Sequence, residues 1–219
     1  MDTATLVWYG ALVFWSLLCV VDPIGGAATF LATTRDRSAQ ERRRLAGRAV
    51  AIGGLVLAAG ILFGPELLFR VGIHTAGFRI GCGLLLLVPI VAEWGKGAHA
   101  FATAPLPVDA DAPAARLAVT PLGFPLVAST SALATAILYA GEWDEGWRRG
   151  VTAACVVLTL AITWAAFRAA ERLGAWLGPG GTRFATSVQK LTVAAWAVDF
   201  IATGVRDFLP FVLHTPPAR

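Results

Sequence analysis

Charged residues are scarce in this sequence: they make up 15% of its 219 residues, whereas apolar residues make up 57%. Soluble domains carry about 25% charged residues, so this composition excludes a soluble class and indicates an integral membrane protein. A separate nucleic-acid-binding domain is also excluded, because the 18 lysines and arginines flank apolar blocks and form no basic domain. We therefore expect the lipid bilayer as a partner, and no nucleic acid.

Cysteine and histidine are rare as well, with three residues of each. Cys19, Cys82 and Cys155 all fall inside apolar blocks, where they suit packing better than disulfides or metal binding. The sequence has no Cys-x-x-Cys, no His-Glu-x-x-His, no Gly-x-Ser-x-Gly and no phosphate-binding loop. These absences predict a protein that is not an enzyme and has no metal or cofactor. A coupling proton or sodium ion is compatible with them.

Long apolar runs are what the sequence has instead. Six blocks reach the roughly 20 residues that a helix needs to cross a bilayer. They cover residues 5–34, 50–69, 76–94, 117–140, 151–169 and 188–209. Ser38 and Glu41 form a capping box, which predicts a helix start ahead of the second block. Residues 168–187, with their Gly-Pro-Gly-Gly run, are expected to form a loop before the sixth block.

Basic residues are distributed unevenly between the two ends of these blocks. If the side with the arginine cluster at residues 35–44 is called inside, twelve lysines and arginines lie inside and six outside. The positive-inside rule then predicts that both termini lie outside. The cluster also suits anionic lipid, although topology explains it without a ligand.

The first apolar block contains a break at Asp22, Pro23, Gly25 and Gly26. Asp22 lies about 20 Å along a helix from Arg35, and hence well inside a hydrocarbon core of about 30 Å. Pro23 has no N–H and breaks a helix. A broken helix persists in lipid only where protein or a water-filled cavity covers the freed backbone groups. We therefore expect these four residues to line a substrate cavity.

A second Pro-x-Gly motif opens the fourth block, and three hydroxyl residues follow it. These hydroxyls fit close helix packing as well as they fit ligand binding. The residues expected to contact substrate here are Thr120, Pro121, Gly123, Ser129, Thr130 and Ser131.

The two motifs divide the chain into halves. Three blocks precede the loop at residues 96–116 and three follow it, so the second half enters the membrane inverted. Broken helices at matching positions of inverted halves indicate a transporter site. The prediction is an all-α integral membrane protein with one transmembrane domain, made of repeat 1 (about residues 5–95) and repeat 2 (about 117–210). Helices 1 and 4 are broken at the Pro/Gly motifs.

Two further charged residues within the blocks are candidates for a functional role. Asp199 is near the middle of the sixth block, where a carboxylate is either functional or a partner for Arg206. Arg79 is near one end of the third block, where it faces a cavity, a lipid headgroup or the interface. With Asp22, these two residues are the candidates for coupling or gating. The sequence assigns no role to Lys190.

Four stretches then allow a family comparison: Asp22-Pro23-Ile24-Gly25, residues 72–83, Pro121-Leu122-Gly123-Phe124-Pro125-Leu126 and Gly178-Pro179-Gly180-Gly181. In this order they resemble the MarC family of bacterial inner-membrane proteins. That family is similar in architecture to LysE-type exporters, and some members are described as transporters of small neutral amino acids such as glycine and alanine. The resemblance implies an inner-membrane location and a small-molecule substrate.

The chain departs from the family pattern at three places. Ser129-Thr130-Ser131 stands where the family tends to have Gly-Pro-Gly, Asp199 where it has an uncharged residue, and Lys190 lies where it has a small one. Two hypotheses follow. The first is a secondary transporter of small polar metabolites, above all neutral amino acids. The alternative is a flippase-like protein that handles lipid or lipid-linked phosphate, held by Arg79 and Lys190. A homo-oligomer is compatible with both.

Overall fold

The computed structural model describes residues 2–94, 113–141 and 146–214, and these ranges are helical almost throughout, with no strand. The predicted all-α class is confirmed for them. Residues 95–112, which include most of the predicted loop at 96–116, lie outside the described residues. The helices are α1 (Thr3–Val21), α2 (Pro23–Thr33), α3 (Ala39–Val71), α4 (Thr75–Trp94), α5 (Ala114–Leu117), the wide helical segment Ala118–Val127, α6 (Thr130–Ala140), α7 (Gly146–Arg168) and α8 (Ala170–His214).

Several of these helices are long and apolar enough to cross a membrane. They are the joined pair α1–α2, then α3, α4 and α7. A fifth span is added if the helical segments 114–127 and 130–140 are counted as one broken helix, which bends by 58° at their junction. The last helix, which carries Lys190 and Asp199, is not among them. The structure thus supports four or five of the six predicted spans.

The start of α3 agrees with the predicted capping box. Ser38 Oγ accepts a hydrogen bond from the Glu41 N–H at 3.3 Å, and the Ser38 N–H donates to Glu41 Oε2 at 3.1 Å. These bonds satisfy backbone groups that the first helical turn leaves without partners. From this point α3 continues unbroken to Val71 and ends at Gly72, whose φ of 77° suits glycine.

The loop predicted at residues 168–187 is wrong. Helix α8 begins at Ala170, two residues after α7 ends, and residues 170–214 form one helical element with a single interruption. Only Gly178 leaves the helical conformation, with φ 62° and ψ 178°. Glycine adopts this φ without steric cost, so the Gly-Pro-Gly-Gly run interrupts the helix for one residue and does not form a loop.

Helices α4 and α8 lie side by side and antiparallel. A Cβ atom on Gly83 would lie 2.6 Å from the carbonyl oxygen of Ala197, so the two backbones touch there. At one end of the pair Arg79 Nη1 donates to Asp207 Oδ2 at 2.8 Å. At the other end Lys190 forms an ion pair with Glu93. Helix α8 therefore runs along the whole of α4.

The buried side chains form two hydrophobic clusters. The first joins α1, α4, α6 and α8 with parts of α3 and α7. The second joins α2, the Ala118–Val127 segment and the opposite ends of α3 and α7. Helices α3 and α7 thus connect two cores, which lie at different depths along the bundle.

We predict that Gly83→Leu lowers the free energy of unfolding by about 1–3 kcal/mol or more, because overpacking forces two backbones apart. The matched control is Gly81→Leu on the same helix, where an added Cβ meets nothing within 4 Å. Thermal unfolding in detergent measures both variants. Equal losses of stability would contradict the close approach of α4 and α8.

Candidate functional site

Asp22 forms the junction between α1 and α2. Its backbone is left-handed, with φ 53° and ψ 70°. Its N–H donates to the carbonyl oxygen of Leu18 at 3.1 Å, which closes α1. Its Oδ1 accepts from the Gly25 N–H at 2.8 Å, which caps α2. One residue thus ends one helix and begins the next, and aspartate tolerates this conformation better than most residues.

Close contacts at the two glycines after Asp22 leave little room for a Cβ atom. A Cβ on Gly25 would lie 2.2 Å from Oδ2 of Asp22, so a side chain there would displace the carboxylate. A Cβ on Gly26 would lie 3.2 Å from the ring of Phe167 on α7. Gly25 therefore holds the carboxylate over the first turn of α2, and Gly26 lets α7 approach.

The fourth block is interrupted at the predicted Pro/Gly motif and again at Ala128. Pro121 and Gly123 are inside the wide Ala118–Val127 segment, which leaves helical geometry at Thr120 and Phe124. The helix ends at Ala128, and Ser129 Oγ caps α6 by accepting from the Ala132 N–H at 3.1 Å. The predicted break of helix 4 at Pro121 agrees with the loss of helical geometry at Thr120, the residue before it. The structure adds a second such residue, Phe124 before Pro125, and a bend at Ala128, after which α6 begins.

The two broken helices pass each other in opposite directions. Phe30 of α2 and Leu122 of the Ala118–Val127 segment belong to one cluster. Leu17 of α1 and Ala132 of α6 belong to the other. Each broken helix contributes one arm to each cluster, so both breaks lie near the boundary between the two cores.

Asp22 meets polar groups of α8 and α4. The Gln189 side-chain amide donates to the carbonyl oxygen of Cys19 at 2.6 Å and also hydrogen-bonds the Asp22 carboxylate. The ion pair of Lys190 with Glu93 lies within electrostatic range of the same carboxylate. A carboxylate, an amide and an ion pair therefore surround this break. We call Asp22, Gln189, Lys190 and Glu93 the Asp22 cluster.

The hydroxyl run is near the second break but not in the Asp22 cluster. Ser131 Oγ donates to the carbonyl oxygen of Leu85 on α4 at 3.2 Å. Glu93 lies eight residues further along the same helix, or about 12 Å. Ser129 and Thr130 lead into Ser131 at the start of α6. The structure thus separates the predicted substrate residues into two groups at different depths.

Arg79 and Asp199 lie outside both groups. The Arg79 guanidinium is held by Asp207 at the far end of α4 and α8. Asp199 is exposed on α8, nine residues beyond Lys190. Arg206, its predicted partner, donates to Asp207 at 3.2 Å instead.

Buried hydroxyl groups form a further polar feature. Those of Ser16, Thr135, Thr152 and Thr159 are fully buried and make no hydrogen bond within the described ranges. They belong to α1, α6 and α7, which contact one another. A buried hydroxyl without a partner costs about 1–3 kcal/mol, so apolar packing alone does not account for them.

Sequence reasoning missed Gln189 and Glu93. Each is a single polar residue at the end of an apolar block, and no local pattern marks it. The available signal was a pair of opposite charges, Glu93 ending the third block and Lys190 beginning the sixth. In inverted halves, those two ends meet on the same side of the membrane.

The fold and its helix breaks define a polytopic helical membrane protein with discontinuous helices. Within that class, the model of the MarC family integral membrane proteins matches residues 8–209, and the chain belongs to this family. The resemblance found in the motifs is confirmed.

Relatives from several organisms match over nearly the full chain. The UPF0056 membrane protein MJ1677 of Methanocaldococcus jannaschii is 27% identical over 201 residues, which cover 92% of this chain and 98% of that protein. YvbG of Bacillus subtilis is 28% identical over 202 residues, which cover 90% of this chain and 94% of that protein. YhcE of Escherichia coli is 24% identical over 202 residues, which cover 92% of this chain and 94% of that protein. No solved structure matches the chain.

We predict that Asp22→Ala destabilises the protein by about 2–3 kcal/mol, because it removes a helix cap and places alanine in a left-handed conformation. Asp22→Asn keeps both functions of the side chain and costs less than about 1 kcal/mol. Unfolding in detergent, followed by circular dichroism, compares the two. If Asn is as harmful as Ala, the double cap is not what holds the break.

Proposed function

We propose that this MarC family protein is a secondary transporter of small polar metabolites, above all neutral amino acids. The main support is the pair of discontinuous helices that pass each other in opposite directions, with capped N-termini at Asp22 and Ser129. Transporters use such half-helix ends for polar substrates inside the membrane. The buried hydroxyls of α1, α6 and α7 without hydrogen-bond partners among the described residues are a further polar feature of helices that carry or contact the two breaks.

The proposal includes six spans arranged as two inverted three-helix units. Because α8 runs antiparallel along all of α4, we assign it as the sixth span. Helix α3 is likewise antiparallel to α7, since Gly47 lies near Trp164 and Gly54 near Leu160. Pairing α1–α2 with the 118–140 pair, α3 with α7, and α4 with α8 gives an inverted repeat. With this arrangement, the arginine distribution favours both termini outside a bacterial inner membrane.

The charges of the Asp22 cluster fit an amino acid zwitterion. Asp22 and Glu93 suit an ammonium group, whereas Lys190 and Gln189 suit a carboxylate. A neutral amino acid carries one of each, so it offers a partner to both kinds of group and adds no net charge to the cluster. Asp22 is also positioned to carry a coupling proton or sodium ion.

The alternative, handling of a lipid-linked phosphate by Arg79 and Lys190, has less support. These two residues lie at opposite ends of the α4–α8 pair, Arg79 beside Asp207 and Lys190 beside Glu93. One phosphate group does not reach both. The carrier hypothesis uses a cluster that the fold brings together.

We predict that Asp22→Asn lowers the initial rate of glycine or alanine uptake into proteoliposomes by about tenfold or more, because a charged hydrogen-bonding group is removed from the site. Asp199→Asn, a matched change of a carboxylate outside the cluster, leaves the rate near that of the wild type. Loss of uptake in Asp199→Asn alone would move the coupling role to Asp199. Unchanged uptake in Asp22→Asn would remove Asp22 from the mechanism.

A further inference from the structure

The end of the bundle that carries the arginine cluster has a cavity of about 370 Å³ with a basic wall. Four arginines and one glutamate line it, an excess of three positive charges: Arg42, Arg43, Arg168, Arg172 and Glu171. They come from the start of α3 and from the junction of α7 with α8. The floor is apolar, because the stacked rings of Phe30 and Phe167 lie there at 4.8 Å.

The arginines of this cavity fall into two kinds. Arg42 forms an ion pair with Glu171 and donates to the carbonyl oxygen of Arg37 at 3.0 Å. Arg168 lies over the ring of Trp164. Arg43 and Arg172 are exposed and make no ion pair or hydrogen bond within the part of the chain that is described. Their guanidinium groups are available to an anion.

A second cavity of about 300 Å³ adjoins the first and is mostly apolar. The two share Leu31 and Ala170 in their walls. The groove runs between α2 and the first two turns of α8, and its small or apolar lining includes Ile24, Ala27, Ala28, Leu173, Gly174 and Leu177. A basic cavity is thus continuous with an apolar groove.

We propose that this composite site binds one acidic phospholipid from the surrounding leaflet. Arg43 and Arg172 hold the phosphate, because guanidinium groups match phosphate oxygens in geometry and charge. One acyl chain occupies the groove between α2 and α8, which a free phosphate would leave empty. Basic pockets between membrane helices at the arginine-rich side recognise anionic headgroups in this way. The site is separate from the Asp22 cluster and does not depend on transport.

The ligand is tested by native mass spectrometry and thermal unfolding of the purified full-length protein in detergent. Three probes are compared at equal concentration: phosphatidylglycerol, phosphatidylcholine and inorganic phosphate. We expect phosphatidylglycerol alone to bind and to raise the unfolding temperature. Equal binding of phosphatidylcholine would overturn the charge argument, and equal stabilisation by inorganic phosphate would reduce the site to one for a free anion.

The location is tested with two pairs of variants. We expect Arg43→Gln with Arg172→Gln to weaken phosphatidylglycerol binding by about fivefold for each arginine. Arg70→Gln, which removes an exposed arginine paired with Glu66 at the end of α3, leaves binding unchanged.

The second pair probes the groove. Gly174→Leu fills it without a clash, since an added Cβ there meets nothing within 4 Å. Its control is Gly180→Leu, which is equally free of contacts on the same helix but outside both cavities. We expect only Gly174→Leu to reduce lipid binding, with unfolding of the lipid-free variants unchanged. Wild-type binding by the arginine double variant or by Gly174→Leu would place the lipid elsewhere and overturn the proposal.

Discussion

Asp22 occupies the helix break on which the rest of this structure depends. Asp22 closes α1 through its N–H and opens α2 through its side chain, in a left-handed conformation. Among the described residues it is the only one other than glycine with positive φ. A helix break at membrane depth leaves backbone groups that lipid cannot hydrogen-bond, so the chain needs a residue that satisfies them locally. Asp22 does so and keeps a charge beside the break.

The remaining helices pack around the helix break at Asp22. Protein must cover a broken helix in a membrane, and here the unbroken α7 packs beside the first break and the unbroken α3 beside the second. Gly26 lets α7 approach α2, and a Cβ on Gly53 of α3 would lie 2.5 Å from the side chain of Val127. These contacts place small residues where helices cross, as membrane packing requires. The same arrangement brings Gln189 and Lys190 of α8 to Asp22.

The sequence allowed part of this to be predicted, for local reasons. Proline and glycine inside an apolar run indicate the break at Asp22, and the Ser38 capping box indicates the start of α3. The Pro/Gly motif at Pro121 likewise indicates the loss of helical geometry at Thr120, whereas the further bend at Ala128 and the new helix capped by Ser129 were not predicted. Gly178 interrupts a helix where composition favoured a loop. The contacts of Asp22 with α4 and α8 depend on how distant helices pack, which spacing along the chain does not show.

The central claim is that the two breaks are points inside the membrane that water and small solutes reach. Labelling of single cysteines by a small, hydrophilic thiol reagent tests it most directly, in a protein whose Cys19, Cys82 and Cys155 have been replaced. Val20→Cys and Thr130→Cys lie beside the two breaks, and Val157→Cys is an exposed position in the middle of α7. The account predicts that the first two are labelled, from opposite sides of the membrane, and that Val157→Cys is not. Labelling of neither break above the level of Val157→Cys would contradict it.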